Sequence, residues 1–144
     1  MKYVSIILFA AIAMVACKNN KTQGKTLVKD ASTDTANFTT VKWLDSTVNF
    51  GEIAKGKTAT IKFHCKNTGS KPLIIVSAQP GCGCTVADYT KSPIPPNGEG
   101  EVTASFDSNK VAAAGEVHKS IFVTTNSLNG YTTLFFTGVI KEAK

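Results

Sequence analysis

An antiparallel β-sandwich of about seven strands is what residues 41–144 predict, an all-β domain preceded by a signal peptide and a flexible tether. Three observations carry this reading. From Val41 onward apolar residues recur with a period of two rather than 3.6. Turn-forming clusters break the alternation every 8–12 residues or so, the spacing typical of sandwiches. No stretch sustains a helical period with caps.

The strands follow in order. Thr47–Ile53 forms a short first strand. Thr58–Lys66 alternates cleanly, with Ala59, Ile61, Phe63 and Cys65 on one face and Thr60, Lys62, His64 and Lys66 on the other. Asn67-Thr68-Gly69-Ser70 is turn chemistry. Leu73–Val76 is a continuous apolar run, suited to a strand covered on both sides or central in its sheet. Pro93–Gly98 is a loop, and Glu101–Asp107 after it points Val102, Ala104 and Phe106 inward. Val117–Thr125 does the same with Val117, Ile121 and Val123. Asn126–Gly130, with Asn129-Gly130 at its tip, reads as a hairpin loop leading to a last strand, Tyr131–Val139. The inward phase predicts a core containing Phe63, Ile75, Val102, Phe106, Ile121 and Leu134.

The first twenty residues specify location. Lys2 is followed by an apolar run from Val4 to Val15 containing Ala10, Ala11 and Ala13, and then by Ala16-Cys17, the layout of a secretory signal. The run is too short for a membrane span, which needs about 20 apolar residues. Cysteine directly after a small residue at the end of such a run resembles the lipobox of bacterial lipoproteins. That resemblance implies cleavage before Cys17 and diacylation of Cys17. The chain then divides into a signal peptide (1–16), a lipidated cysteine with a tether (17–40) and a folded domain (41–144). The segment from Lys18 to about Thr40 has only Leu27, Val28 and Phe38 as sizeable apolar residues, too few to offset the entropy of ordering it.

The net charge is +6, and every basic residue is Lys. Nucleic-acid readers lean on the planar fork of Arg, so an exported chain without it argues against that class. The lysines are scattered, as expected of a solvated surface with protected strand edges. Attraction to anionic lipid or polysaccharide is the partner chemistry that remains.

A wider pattern runs through the domain: Asn49-Phe50-Gly51, Phe63-His64-Cys65-Lys66-Asn67-Thr68-Gly69, Pro72-Leu73-Ile74-Ile75, Gly81-Cys82-Gly83-Cys84-Thr85, Ile94-Pro95-Pro96-Asn97-Gly98-Glu99, Phe106-Asp107, Gly115, Thr125-Asn126, Leu134 and Thr137-Gly138. In order and spacing it resembles the domain-of-unknown-function family number fifteen-seventy-three. The resemblance implies an exported, lipid-anchored protein with an immunoglobulin-like sandwich, similar to hydin-type and major-sperm-protein-type domains, and implies no activity. Cys65 departs from the pattern, standing where the family more often has a plain strand residue.

Cys82-Gly83-Cys84 is the one pointed chemical motif, with Gly81 and Gly83 allowing an unusual backbone path. Three readings stand. One is a structural disulfide in an oxidising compartment, closing a tight, strained ring that stabilises little because the loop is so short. Another is a soft metal ion such as Cu(I) on two thiolates, with His64 and His118 the only imidazoles available as a third ligand. The last is redox exchange on a reducible bridge. Cys65 ends its strand near Leu73, and at about 3.3 Å per residue it lies too far from Cys82 or Cys84 to bridge, so it reads as a free buried thiol. Asp88, Asp107, Glu99, Glu101 and Glu116 make no spaced acid–base pair, and no nucleophile elbow or phosphate loop occurs. Trp43 and Tyr89 are candidate contact aromatics, Trp43 more simply a lid over one end of the core.

The resulting expectation is a non-enzymatic, lipid-anchored binding or scaffolding module facing the periplasm. It would be monomeric, without a cofactor beyond the Cys17 lipid, and would take an envelope protein or polysaccharide as partner. The alternative is a periplasmic soft-metal or thiol-redox protein built on Cys82 and Cys84.

Overall fold

The computed structural model describes residues 37–142. The expected signal peptide, Cys17 and the tether up to residue 36 lie outside the described residues. Eight strands follow in order: β1 (Val41–Trp43), β2 (Thr47–Ala54), β3 (Thr58–Asn67), β4 (Ile75–Pro80), β5 (Thr85–Tyr89), β6 (Glu99–Asp107), β7 (Gly115–Thr125) and β8 (Tyr131–Lys141). They form two four-stranded sheets, β1-β3-β6-β5 and β2-β8-β7-β4, packed face to face as a sandwich. The all-β sandwich read from the period-two pattern is therefore present. Between the named strands the pairing is antiparallel except where β2 runs parallel to β8, with Thr47 opposite Phe135 and Asn49 opposite Thr137.

The predicted inward residues are inside. Phe63, Val102, Phe106, Ile121 and Leu134 have no exposed surface, and Ile75 is buried beside them. Phe50, Phe106 and Phe136 stack where the sheets meet, with ring centroids 5.6 Å (Phe50–Phe106) and 5.7 Å (Phe106–Phe136) apart. Gly138 makes this possible, because a β-carbon there would stand inside the Phe50 ring.

Three strands differ from expectation, the first being β1 (Val41–Trp43), which the sequence pattern did not delimit. The run Leu73–Val76 is not one strand. Leu73 pairs singly with Ile94, and β4 begins at Ile75. A register shift between Ile75 and Ser77 turns the following residues over, so Val76 is exposed on an edge strand rather than covered in a central one. A continuous apolar run can span a loop and a strand start as easily as a buried strand. The strand β5, not delimited by the sequence pattern, is an edge strand of the first sheet; its short Thr-Val-Ala-Asp-Tyr run is half polar and its Val86 faces solvent.

Buried amides tie the loops at one end. The Asn67 side chain donates to the carbonyls of Lys71 (2.7 Å) and Ile94 (3.0 Å) and accepts from Thr39 Oγ1 (2.9 Å) and the Gly69 N–H (3.0 Å). Asn126 accepts from the Ile74 N–H (2.7 Å) and donates to the Asn37 and Pro72 carbonyls (both 3.0 Å). Thr39 is itself buried, bridges to Ser127 and donates its N–H to the Asn126 carbonyl. Residues 37–40, at the end of the expected tether, are thus docked on the sandwich.

Candidate functional site

The segment between β4 and β5 carries the chain from one sheet to the other. Its entry is fixed where the Gly81 N–H donates to the Ser120 carbonyl of β7 (2.9 Å). Its exit is fixed where the Asp107 N–H of β6 donates to the Cys84 carbonyl (2.9 Å), and the Thr85 N–H closes the turn onto the Cys82 carbonyl (3.4 Å). Gly81 is there for space: a β-carbon would sit 2.9 Å from Ser120 Oγ. Neither Gly81 nor Gly83 takes a left-handed φ, so the unusual backbone path expected of them is absent, and Gly83 has open space around it.

Within this turn Cys82 and Cys84 form a disulfide, their Cα atoms 5.3 Å apart, inside the range such a bond needs. Cys82 is half-buried, whereas Cys84 is sealed into the core with 6 % of its surface exposed. The hydroxyl of Thr85, a buried residue, lies 3.6 Å from the Cys82 sulfur and 3.8 Å from the Cys84 sulfur. As a disulfide the pair offers no thiolate to a metal. Among the described residues no group of three or more His, Cys, Asp or Glu side chains is placed to hold an ion.

Cys65 is a free, buried thiol. It pairs with Gly100 on β6, whereas Thr85 pairs with Phe106. Six residues of strand separate those two levels, roughly 20 Å, so Cys65 and the disulfide occupy opposite ends of the sheet. Burial pushes the Cys65 thiol above its ordinary value of 9.0, despite a backbone hydrogen bond from Gly100 that acts the other way.

The imidazoles part company. His64 sits on the outer face of β3, its Nδ1 2.8 Å from Asp45 and its Nε2 3.5 Å from Glu101, which Lys62 also meets at 3.2 Å. His118 is on β7 and lines a surface depression together with Gly81, Cys82, Lys119, Ser120 and Phe135. The structure therefore brings His118 to the Cys82 side and keeps His64 away from it. Trp43 packs half-buried on the edge strand β1 opposite Cys65, its indole Nε1 enclosed without an acceptor among the described residues. Tyr89 closes the β4–β5 margin by donating its hydroxyl to the Val76 carbonyl (2.8 Å).

An aromatic face adjoins the depression. Phe122 on β7 and Tyr131 and Phe135 on β8 point outward from the second sheet, 51 %, 73 % and 48 % exposed. Phe122 is opposite Thr133, which sets Tyr131 and Phe135 at its two diagonals, within reach of one another for side chains of this size. The sequence pattern did not single out these residues as a site. The signal was the pair Phe135-Phe136, since adjacent strand residues face opposite sides and only one of the two can enter the core.

A sequence profile of DUF1573, described as a protein of unknown function, matches residues 41–140. No curated protein sequence matches the chain. Among solved structures, a protein of unknown function from Porphyromonas gingivalis W83 is similar with a TM-score of 0.64 at 16% identity, over 73% of this chain and 48% of that one. This chain thus spans about half of that protein's length. PapD-like domain 7 of human CEP192 gives a TM-score of 0.56 at 14% identity, over 75% and 89% of the two chains. The CupB2 chaperone of Pseudomonas aeruginosa gives 0.50 at 10% identity, over 72% and 56%. At these identities the likenesses establish a shared sandwich fold.

Proposed function

This chain belongs to the DUF1573 family, and we propose that it is a lipid-anchored binding or scaffolding module of the cell envelope that docks another envelope protein on the outer face of its β2-β8-β7-β4 sheet. The observation that carries this reading is the cluster of Phe122, Tyr131 and Phe135 in solvent. Contiguous exposed apolar surface of this kind marks interaction sites on soluble domains, and aromatic residues dominate the energetic centres of protein interfaces. His118 at its margin adds a polar group of the kind found in the rim of such interfaces. The leader and Cys17 supply the location, and the polar segment after Cys17 supplies the reach. The fold likenesses add only that sandwiches of this shape occur in the CupB2 chaperone and in PapD-like domain 7 of CEP192.

Site-specific photocrosslinking in the envelope tests this. A crosslinker at position 135 should give one discrete adduct of constant mass, reduced at least tenfold by Phe122→Ser and absent when the crosslinker is placed instead at position 62 on the other sheet. Equal, diffuse crosslinking at both positions would remove the reading. Adducts to glycan alone would replace the protein partner with a polysaccharide.

A further inference from the structure

We propose that the Cys82–Cys84 disulfide is a thiol–disulfide exchange centre, in which an incoming thiolate attacks Cys82 and Cys84 is the leaving and resolving sulfur. Four features converge on this. The bond encloses only three residues, so it constrains the unfolded chain little. The turn is held instead by backbone hydrogen bonds that do not involve sulfur: Gly81 to Ser120, Thr85 to Cys82 and Asp107 to Cys84. Opening the bond therefore leaves both cysteines in place, ready to close again. A bond that holds little and whose neighbourhood survives its loss is poorly explained as a staple.

The two sulfurs are also unequal. Cys82 lines the depression with Lys119, His118 and Phe135, whereas Cys84 is enclosed in the core. Access decides which sulfur is attacked. Thr85 Oγ1, beside both sulfurs, can donate to the thiolate that departs.

The step balances without a further cofactor. A thiolate RS⁻ forms a bond to the Cys82 sulfur, the Cys82–Cys84 bond breaks, and its electron pair leaves with Cys84 as thiolate. Cys84 then either returns to Cys82 and expels RS⁻, or takes a proton while a second thiolate displaces Cys82. The latter path reduces the pair by two electrons and releases RSSR. The required co-reactant is an exposed thiol, from a small molecule or from a protein cysteine. Because the hydrogen-bonded turn keeps the two sulfurs side by side, ring closure is fast and the mixed disulfide on Cys82 is short-lived.

The test uses the full chain carrying Cys17→Ser, so that Cys65 is the only other thiol. Reduced glutathione should open the bond under native conditions, giving alkylation at Cys82 first, at Cys84 at least tenfold more slowly and at Cys65 not at all, with an unchanged far-ultraviolet spectrum. With glutathione disulfide, Cys84→Ser should form an adduct on Cys82 at least tenfold faster than Cys82→Ser forms one on Cys84. Thr85→Val should slow opening of the native bond several-fold without shifting the melting temperature. Repeating the reaction with a single-cysteine peptide flanked by aromatic residues distinguishes the sources, a faster reaction than with glutathione indicating a protein thiol. Opening that occurs only as fast as the whole domain unfolds, or equal reactivity of the two cysteines, would overturn the proposal.

Discussion

Asn67 shows how much one side chain can hold. It has no exposed surface, and its amide joins the β3 end to Thr39, Gly69, Lys71 and Ile94. Asn67→Ala removes four hydrogen bonds, each worth about 0.5–1.5 kcal/mol, and leaves the Gly69 N–H without its acceptor, while the Ile94 carbonyl keeps the Leu73 N–H and the Lys71 carbonyl keeps Thr39 Oγ1. Partial hydration of the loops offsets some of this, and a net loss of about 3 kcal/mol is expected. Urea unfolding should show it as a lower midpoint with an unchanged slope; a change well under 1 kcal/mol would mean the network is dispensable. On the outer face the carboxylates tell a different story. The His64 ring hydrogen bond holds Asp45 below its ordinary 3.8, and the Thr103 hydroxyl, then Lys62, hold Glu101 below its ordinary 4.5. Depressed carboxylates stabilise the fold above their unfolded values, and that contribution disappears as the pH falls through the folded ones. Thermal melts of Asp45→Asn/Glu101→Gln should therefore fall less steeply than wild type below about pH 5, by a small amount because both groups are exposed. An identical acid slope would show that the pairing does not matter.

Among the elements, the edges carry the information. The β4–β5 side of the sandwich is closed twice, by the disulfide turn at one end and by Tyr89 against the Val76 carbonyl at the other. On the opposite side β1 covers only the last three residues of β3, and residues 37–40 extend that cover by docking Thr39 against Asn67 and Ser127. Deleting residues 18–36 should leave the melting temperature within a degree or two, whereas extending the deletion to residue 40 should lower it by roughly 5–10 °C, since 1 kcal/mol is worth about 4–8 °C in a domain of this size. Equal melting temperatures for the two deletions would place the start of the folded unit at Val41 after all. The core strands answer to the same logic: Phe106→Ala, at a fully enclosed position, should cost about 3–5 kcal/mol in chemical denaturation, and a surface-like loss would contradict the sheet phase.

For the whole molecule, a sandwich with one aromatic outer face and an accessible sulfur beside it gains its use from where it is held. A lipid on Cys17 would confine that face to a membrane surface and raise its effective concentration toward partners there. Cys17→Ser should shift the protein from the membrane to the soluble fraction or leave it unprocessed, because acyl chains supply the membrane affinity. Normal processing with full membrane retention would show that something other than Cys17 anchors it.

Period-two alternation was enough to determine the sandwich and most of its core, because burial of one sheet face is written locally: Phe63, Phe106, Ile121 and Leu134 each sit in phase with neighbours two residues away. The separation of Cys65 from Cys82 and Cys84 was legible for a similar reason, since strand rise alone sets it. The sequence pattern could not decide which strands lie at the edges, that β2 runs parallel to β8, or that the Ile75/Ser77 irregularity exposes Val76. Nor could it bring His118 and Phe135 beside Cys82, or set Phe122 between Tyr131 and Phe135. Those outcomes depend on pairing between strands far apart in the chain, and no local spacing encodes which of two outward-facing side chains will share a surface.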